Sequence, residues 1–332
     1  MAEKIISVND LRIHYEYRDR CVKAVNGISF DIEKGSVTGL VGETGAGKTT
    51  TARSIMRLLP KRVGRIVEGS IEFGGEDIAQ LSEKAMHNIR GAKISMIFQD
   101  PMTSLNPVET VGDQIAEVIG LHNKLSSKEI YAKTCEMLQL VGIPAERYSE
   151  YPHQFSGGMK QRIVIAMALA CNPELIIADE PTTALDVTIQ AQVLELMRDL
   201  QNKSGTSVLL ITHDMGVVAQ MCDHVAVMYA GEIVEYGDIR QIMKQTQHPY
   251  TIGLFGSLPN LNEDVHRLAT IDGAMPDPAN LPSGCSFAPR CKHACEKCFQ
   301  QDPAIYETEV GHKVKCHMAA PDYAKEGGEK HE

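Results

Sequence analysis

Apolar and polar positions alternate with period two over residues 11–17 and 25–32, with the polar turn Arg18-Asp19-Arg20 between them. That alternation predicts two strands with one buried face each. Residues 37–42 form a short apolar run, and 70–73, flanked by glycines, predict another antiparallel strand. A further apolar run at 93–98 ends in Gln99-Asp100-Pro101. From about 108 to 170 the period lengthens to that of a helix, with segments at 109–121, 127–141 and 158–171. Buried strands are expected again at 174–179 and 206–212, each after a helical stretch. Strands alternating with helices in this way predict an α/β fold with a parallel sheet flanked by helices. Residues 225–229 and 232–235 around Ala230-Gly231 read as a hairpin. Beyond Gln245 periodicity fades and prolines cluster at 276, 278, 282 and 289, which predicts a boundary. The division expected is a domain over 1–245, with a helical subdomain at about 100–165, and a second over 246–332. No internal repeat is visible.

The 332 residues suffice for one large and one small domain. Charge changes the picture more than size does. Lys and Arg total 33 against 43 Asp and Glu, a net charge of −10, which argues against a general nucleic-acid partner. The opening MAEKIISVND lacks a basic-then-apolar lead, and no stretch approaches the roughly 20 apolar residues of a membrane span. A chain made in the cytosol is expected, one that could still sit against a membrane through a partner.

The chemistry begins directly after the third strand. Gly42-Glu43-Thr44-Gly45-Ala46-Gly47-Lys48-Thr49 fill G-x-x-x-x-G-K-S/T, and the turn opens a helix through Thr50-Thr51-Ala52-Arg53. A helix start carries unpaired N–H groups and partial positive charge, so it holds phosphate. Glycines let the backbone wrap the phosphates, Lys48 reaches the terminal ones, and the Thr49 hydroxyl suits Mg²⁺. A nucleoside triphosphate with Mg²⁺ is the expectation.

The run 175–178 ends in Asp179-Glu180. At the carboxyl end of a parallel strand, one carboxylate is placed for Mg²⁺ and the next for polarising the attacking water; Asp179 and Glu180 fill those two roles between them. Ser156-Gly157-Gly158 opens a helix and makes a second phosphate-binding start. One triphosphate does not need two such starts from one chain, so a sandwich dimer is expected, each chain offering Ser156 to its neighbour's nucleotide. Phe155-Ser156-Gly157-Gly158-Met159-Lys160-Gln161-Arg162, 108 positions after Lys48 and before Asp179-Glu180, resembles the signature of ABC-transporter ATPases. The resemblance implies a P-loop NTPase core with an antiparallel β subdomain and a helical subdomain. It also implies a Q-loop glutamine at Gln99, a D-loop at Ala184-Leu185-Asp186, a switch histidine at His213, and an adenine-stacking aromatic at Tyr15, with Tyr17 as rival. Phe155 and Met159 stand where the commonest signature has leucine and glutamine. The serine and both glycines are kept.

Nine cysteines are present, and Cys285, Cys291, Cys295, Cys298 and Cys316 crowd into one segment. Dense thiols in a reducing compartment favour metal over disulfides. Four thiolates satisfy either Zn²⁺ or a [4Fe–4S] cluster, and spacing alone leaves both open. His248-Pro249-Tyr250-Thr251, the run Gly284-Cys285-Ser286-Phe287-Ala288-Pro289-Arg290-Cys291, and Cys316-His317 resemble the C-terminal extension of the dipeptide/oligopeptide importer subfamily. That resemblance implies a [4Fe–4S] cluster on Cys285, Cys291, Cys298 and Cys316, with Cys295 outside it, and a structural role for the cluster before a redox one.

Taken together, the resemblance implies a peripheral ATPase on the cytoplasmic face of the membrane that energises uptake of dipeptides or oligopeptides. Its implied partners are a second ATPase subunit, a paralogue, with two transmembrane permease subunits and an extracytoplasmic peptide-binding protein. Nickel or another small solute is the alternative cargo. A non-transport ABC ATPase is the alternative class, but neither a long coiled-coil insertion nor a second ATPase domain is visible in the chain.

Overall fold

The protein is described by a computed structural model covering residues 3–182, 185–256 and 271–323. In chain order its first elements are β1 (Lys4–Tyr17), β2 (Arg20–Glu33), β3 (Val37–Val41), α1 (Lys48–Ile55), β4 (Gly64–Phe73), β5 (Glu76–Asp77), α2 (Glu83–His87) and β6 (Ile94–Ile97). Next come α3 (Pro101–Ser104), α4 (Val111–His122), α5 (Ser127–Leu140), α6 (Gly157–Leu169), β7 (Leu175–Asp179), α7 (Val187–Ser204), β8 (Ser207–Thr212) and α8 (Met215–Met221). The last are β9 (His224–Tyr229), β10 (Glu232–Asp238), α9 (Ile239–Lys244), α10 (Pro249–Gly256), α11 (Glu296–Gln300), β11 (Tyr306–Glu309) and β12 (His312–Val314). They fall into two compact units. One comprises Met1–Ile6, Ile32–Val37 and Phe73–Ile211; the other comprises Ser7–Asp31, Thr38–Glu72 and Thr212–Glu332.

In the first unit β6, β7 and β8 run parallel, with Ile94 opposite Leu175 and Leu175 opposite Ser207. Every residue of β7 and of β8 is buried, the pattern of strands covered on both faces. The helices begin where the sequence supplies caps. Thr110 accepts from the Asp113 N–H, and Ser126 and Glu129 form a reciprocal capping box. Helix α6 buries Ile163, Val164, Ile165, Ala166 and Leu169, and α4 buries Ile115 and Ile119. Parallel β6 and β7 bring their carboxyl ends to one edge, and there the chain carries Gln99 and Glu180.

In the second unit β1 lies between β2 and β4. A separate run pairs β3 with β9 in parallel, then β10, β12 and β11 antiparallel. Ala230 and Gly231 both take positive φ, 48° and 83°, as a two-residue hairpin turn requires. Several strand bounds differ from those expected: β2 begins at Arg20 and β4 at Gly64, rather than at 25 and 70. Strand β1 begins at Lys4 rather than at 11, because the polar pair Asn9-Asp10 is a kink within the strand: Asp10 takes φ 44° and its N–H donates to Ser29 Oγ. The β11–β12 hairpin is short and polar, and β12 is held by its pairing to β10, with Val314 opposite Glu235.

Candidate functional site

The phosphate loop belongs to the second unit. Gly42, Gly45 and Gly47 take φ of 149°, 89° and 107°. At Gly42 and Gly47 close approach excludes a side chain as well: a Cβ would lie 2.2 Å from the Met228 carbonyl oxygen and 2.6 Å from that of Ala24. Lys48, 5% exposed, donates from Nζ to the carbonyl oxygens of Gly42 at 2.7 Å and Glu43 at 3.0 Å. Helix α1 starts on Gly47 with no side-chain cap, so the first-turn N–H groups are presented to whatever the loop encloses. Thr44, Gly45 and Ala46 complete the loop, with the Ala46 carbonyl accepting from the Gly231 N–H at 2.9 Å. Thr49 and Thr50 are half-buried in the first turn. This is an anion cradle, and its donor set fits a polyphosphate.

Tyr15 is half-buried and its hydroxyl shares a 3.2 Å hydrogen bond with Thr50 Oγ1, whereas Tyr17 is 57% exposed. Proximity to the phosphate-loop helix therefore belongs to Tyr15. His213 is exposed immediately after β8, and the next residue, Asp214, caps α8 by accepting from the N–H groups of Gly216 and Val217.

The first unit carries the acidic and signature residues. Asp179, the last residue of β7, is 2% exposed. Glu180 follows it with φ 49°, a left-handed backbone that is costly for a residue with a Cβ, and its N–H donates to the Ile211 carbonyl at 2.8 Å. Its carboxylate accepts from Gln99 Nε2 at 2.8 Å. A side-chain amide thus orients the carboxylate that the sequence singled out, although the two are 81 positions apart.

Ser156 caps α6, accepting from the Met159 N–H at 3.4 Å, and Gly157 is exposed beside it. Gly158 is buried, and a Cβ there would meet Ile189 Cγ2 at 2.4 Å. Asp186 caps α7 by accepting from the Ile189 N–H at 3.0 Å; Ala184 of the same loop lies outside the described residues. Both departures from the commonest signature find one partner. The Arg147 guanidinium lies 4.1 Å from the Phe155 ring centre and donates to Met159 Sδ at 3.5 Å.

In the cysteine-rich segment, Cys295 Sγ and Cys298 Sγ lie 3.6 Å apart, and the Cys285 N–H donates to the Cys298 carbonyl at 2.8 Å. The Cys316 thiol is pushed up to about 12, by burial first and then by Cys285, Cys291 and Cys298. Among the described residues no three His, Cys, Asp or Glu side chains are grouped to hold one metal ion. Neither the [4Fe–4S] expectation nor the zinc alternative gains support from this arrangement.

The residue that sequence reasoning passed over is Arg290. It is 5% exposed at its side chain and paired to Glu43 of the phosphate loop at 3.1 Å. Its only signal was its place inside the tail run that marked the subfamily.

A glycine cradle on a strand-to-helix turn, an amide-oriented carboxylate at a strand end and a serine-capped glycine helix start define a P-loop ATPase of the ABC class. Comparison with known proteins gives the same class. The family profile described as "ABC transporter" matches residues 25–183, and that described as "Oligopeptide/dipeptide transporter, C-terminal region" matches 234–298. The dipeptide transport ATP-binding protein DppD of Bacillus subtilis is 52% identical over 95% of this chain and 94% of its own. The oligopeptide transport ATP-binding protein OppD of the same organism is 50% identical over 97% and 91%. Among solved structures, the dimeric ATP-binding cassette MJ0796, in a post-hydrolysis state bound to ADP and Pi, matches with a TM-score of 0.64 at 25% identity, over 71% of this chain and 99% of that one. The chain belongs to the ABC-transporter ATPases, in their oligopeptide/dipeptide transporter branch, and is an ATP-hydrolysing enzyme. No helix among the described residues is long and apolar enough to cross a membrane.

Proposed function

We propose that this chain is the ATPase subunit that drives a dipeptide or oligopeptide importer, docked on the cytoplasmic face of the membrane. The cargo reading is supported by the tail family and by relatives whose names specify dipeptide and oligopeptide transport. In it, a paralogous ATPase subunit pairs with this one, two permease subunits form the channel, and an extracytoplasmic binding protein delivers the peptide. ATP lies against Gly42, Glu43, Thr44, Gly45, Ala46, Gly47, Lys48, Thr49 and Thr50 of one subunit, and against Ser156, Gly157 and Gly158 of the other. Tyr15 stacks on the base. Asp186 lies at the seam between subunits.

Thr49, Gln99 and Asp179 are the residues that would hold Mg²⁺, which neutralises charge on the phosphates when bound. Glu180 accepts a proton from the attacking water, and His213 lies against the terminal phosphate. The observation that carries the assignment is the 2.8 Å bond from Gln99 Nε2 to the Glu180 carboxylate. It supports Glu180 as the base and ties its orientation to a residue in the chain segment leading into the helical region. Closure on ATP and opening after its cleavage then differ in affinity for nucleotide, and that difference biases the permease.

The same reading places a [4Fe–4S] cluster on Cys285, Cys291, Cys298 and Cys316, as a staple for a segment poor in regular structure. Each thiolate of such a cluster binds a different iron, so the four need not converge on one point. Burial first, and then the nearby Cys285, Cys291 and Cys298, disfavour a lone thiolate at Cys316. A Glu180→Gln variant is expected to bind ATP with wild-type affinity and hydrolyse it at least a hundredfold more slowly. Turnover near the wild-type rate would remove Glu180 as the base.

A further inference from the structure

Glu43 is held at three separate groups. Its carboxylate accepts from Arg290 Nη1 at 3.2 and 3.1 Å. Its N–H donates to the Tyr250 hydroxyl at 2.9 Å, and its carbonyl oxygen accepts from Lys48 Nζ at 3.0 Å. The N–H and the Gly42 carbonyl belong to one peptide unit, and in a trans peptide they point in opposite directions. Tyr250, by taking the N–H on one side, turns the Gly42 carbonyl to the other, where it accepts from Lys48 Nζ at 2.7 Å. Gly42 would otherwise let that peptide rotate, because it has no Cβ to resist.

Both anchors come from the C-terminal segment and are themselves fixed. Tyr250 is fully buried, its ring set against Tyr229 at 4.7 Å and Phe287 at 5.5 Å between centres. Its N–H donates to His248 Nδ1 at 3.0 Å, and the His248 N–H donates to the buried Glu235 carboxylate at 3.1 Å. Arg290 gives Nε to the Asp272 carbonyl, Nη2 to the Ile271 carbonyl and Nη1 to the Tyr229 hydroxyl, besides Glu43. A guanidinium buried to this degree needs a counter-charge, and Glu43 supplies it.

We infer that Tyr250 and Arg290 are positioning residues for Lys48. The C-terminal segment clamps Glu43 so that the Gly42 and Glu43 carbonyls hold the ammonium at the mouth of the phosphate loop, ready for a triphosphate. This rests on the ATPase reading above and gives the His-Pro-Tyr motif and the Ala-Pro-Arg-Cys run a physical task in that site. Neither side chain touches nucleotide; both act through the loop backbone.

The test uses the full-length chain and MgATP. Arg290→Gln is expected to raise the ATP dissociation constant and KM about tenfold, and Tyr250→Phe, which keeps the ring packing, about threefold, with kcat within twofold in both. Arg290→Lys, which keeps the charge, is expected to recover part of the loss. In a double-mutant cycle Arg290→Gln with Glu43→Gln should be no worse than the weaker single variant, because both remove one contact. The inference is overturned if Arg290→Gln melts at the wild-type temperature and binds ATP as wild type does, or if the Arg290 and Glu43 effects add. Should Arg290→Gln fail to fold, unchanged ATP affinity in Tyr250→Phe overturns it alone. Failure of the wild-type chain to bind ATP would instead sink the ATPase reading and leave these arms unread.

Discussion

The two signature glycines are adjacent, yet the structure gives them different reasons to be glycine. At Gly158 a Cβ would stand 2.4 Å from Ile189 Cγ2, about 1 Å inside normal contact. Ile189 is β-branched and helical, so one χ1 rotamer dominates, and its N–H is pinned by the Asp186 cap. It can yield only if the first turn of α7 moves away from α6. Overpacking of this kind costs about 1–3 kcal/mol, against at most about 1 kcal/mol gained from alanine's better helix propensity. Gly158→Ala should therefore lose about 1–2 kcal/mol, lowering Tm by roughly 2–8 °C for a domain of this size. At Gly157 the nearest atom to a Cβ is Leu185 Cδ2 at 3.9 Å, an ordinary contact. Gly157→Ala should leave Tm unchanged or slightly raised while weakening ATPase activity, because in the proposed ATP sandwich the new methyl would face the nucleotide. Calorimetry on both variants, with Ile189→Ala in each background, checks this. The loss at Gly158 should shrink when Ile189 is truncated. A Gly158→Ala protein as stable as wild type, or equally destabilised with and without Ile189, would refute the steric argument.

Two further outcomes follow from buried titrating groups. His248 is held near pKa 4, below its usual 6.5, chiefly because burial disfavours the imidazolium. The unfolded chain binds more protons between those values, so stability is full above about pH 6.5 and falls as pH drops toward 4, by about 3 kcal/mol in all. In His248→Asn, whose amide oxygen can still accept from the Tyr250 N–H, chemical denaturation at pH 4–8 should show a flatter profile; identical profiles would refute the assignment. The Cys222 thiol is pushed up to about 12 by burial, so at pH 8 only about 10⁻⁴ of it is thiolate. Alkylation of the native chain should therefore mark exposed Cys21 long before Cys222, and denaturant should erase the difference. Equal native rates would refute it.

What could be read from the sequence was what rests on local pattern. The parallel strands are continuous apolar runs, helix starts carry Ser, Thr or Asp caps, and the phosphate loop is contiguous. The boundaries missed were those where local pattern misleads. Asn9-Asp10 looks like a turn but is a strand kink tied to Ser29, and the polar β11–β12 hairpin is a strand pair only because β10 offers it an edge. Candidate site residues could be named from the sequence one by one, but their pairings could not. Gln99 and Glu180 are 81 positions apart, and Arg290 and Glu43 are 247 apart. No periodicity encodes such contacts, since each joins residues far apart along the chain. The tail thiols show the limit from the other side. Their spacing suggested a metal, while the folded positions of the described residues group no three ligands for one ion.

The altered signature illustrates how a departure from a common motif should be weighed. Phe155 for leucine and Met159 for glutamine look, as letters, like two independent losses. In the fold both touch Arg147, whose guanidinium faces the Phe155 ring, donates to Met159 Sδ and pairs with Glu150 at 2.6 Å. A cation over an aromatic face contributes about 0.5–1 kcal/mol at a partly exposed site, and leucine offers no such face. Thioether sulfur is a weak acceptor and suits a donor already committed to a carboxylate. The two changes are one packing solution, sharing a single arginine from the turn before α6. Since Phe155 is 5% exposed while Ser156 and Gly157 are exposed, the aromatic side chain lies beneath the helix start and the serine and glycine lie on it. Both changed residues thus bear on Arg147 rather than on Ser156 or Gly157, so the proposed nucleotide contacts do not depend on them.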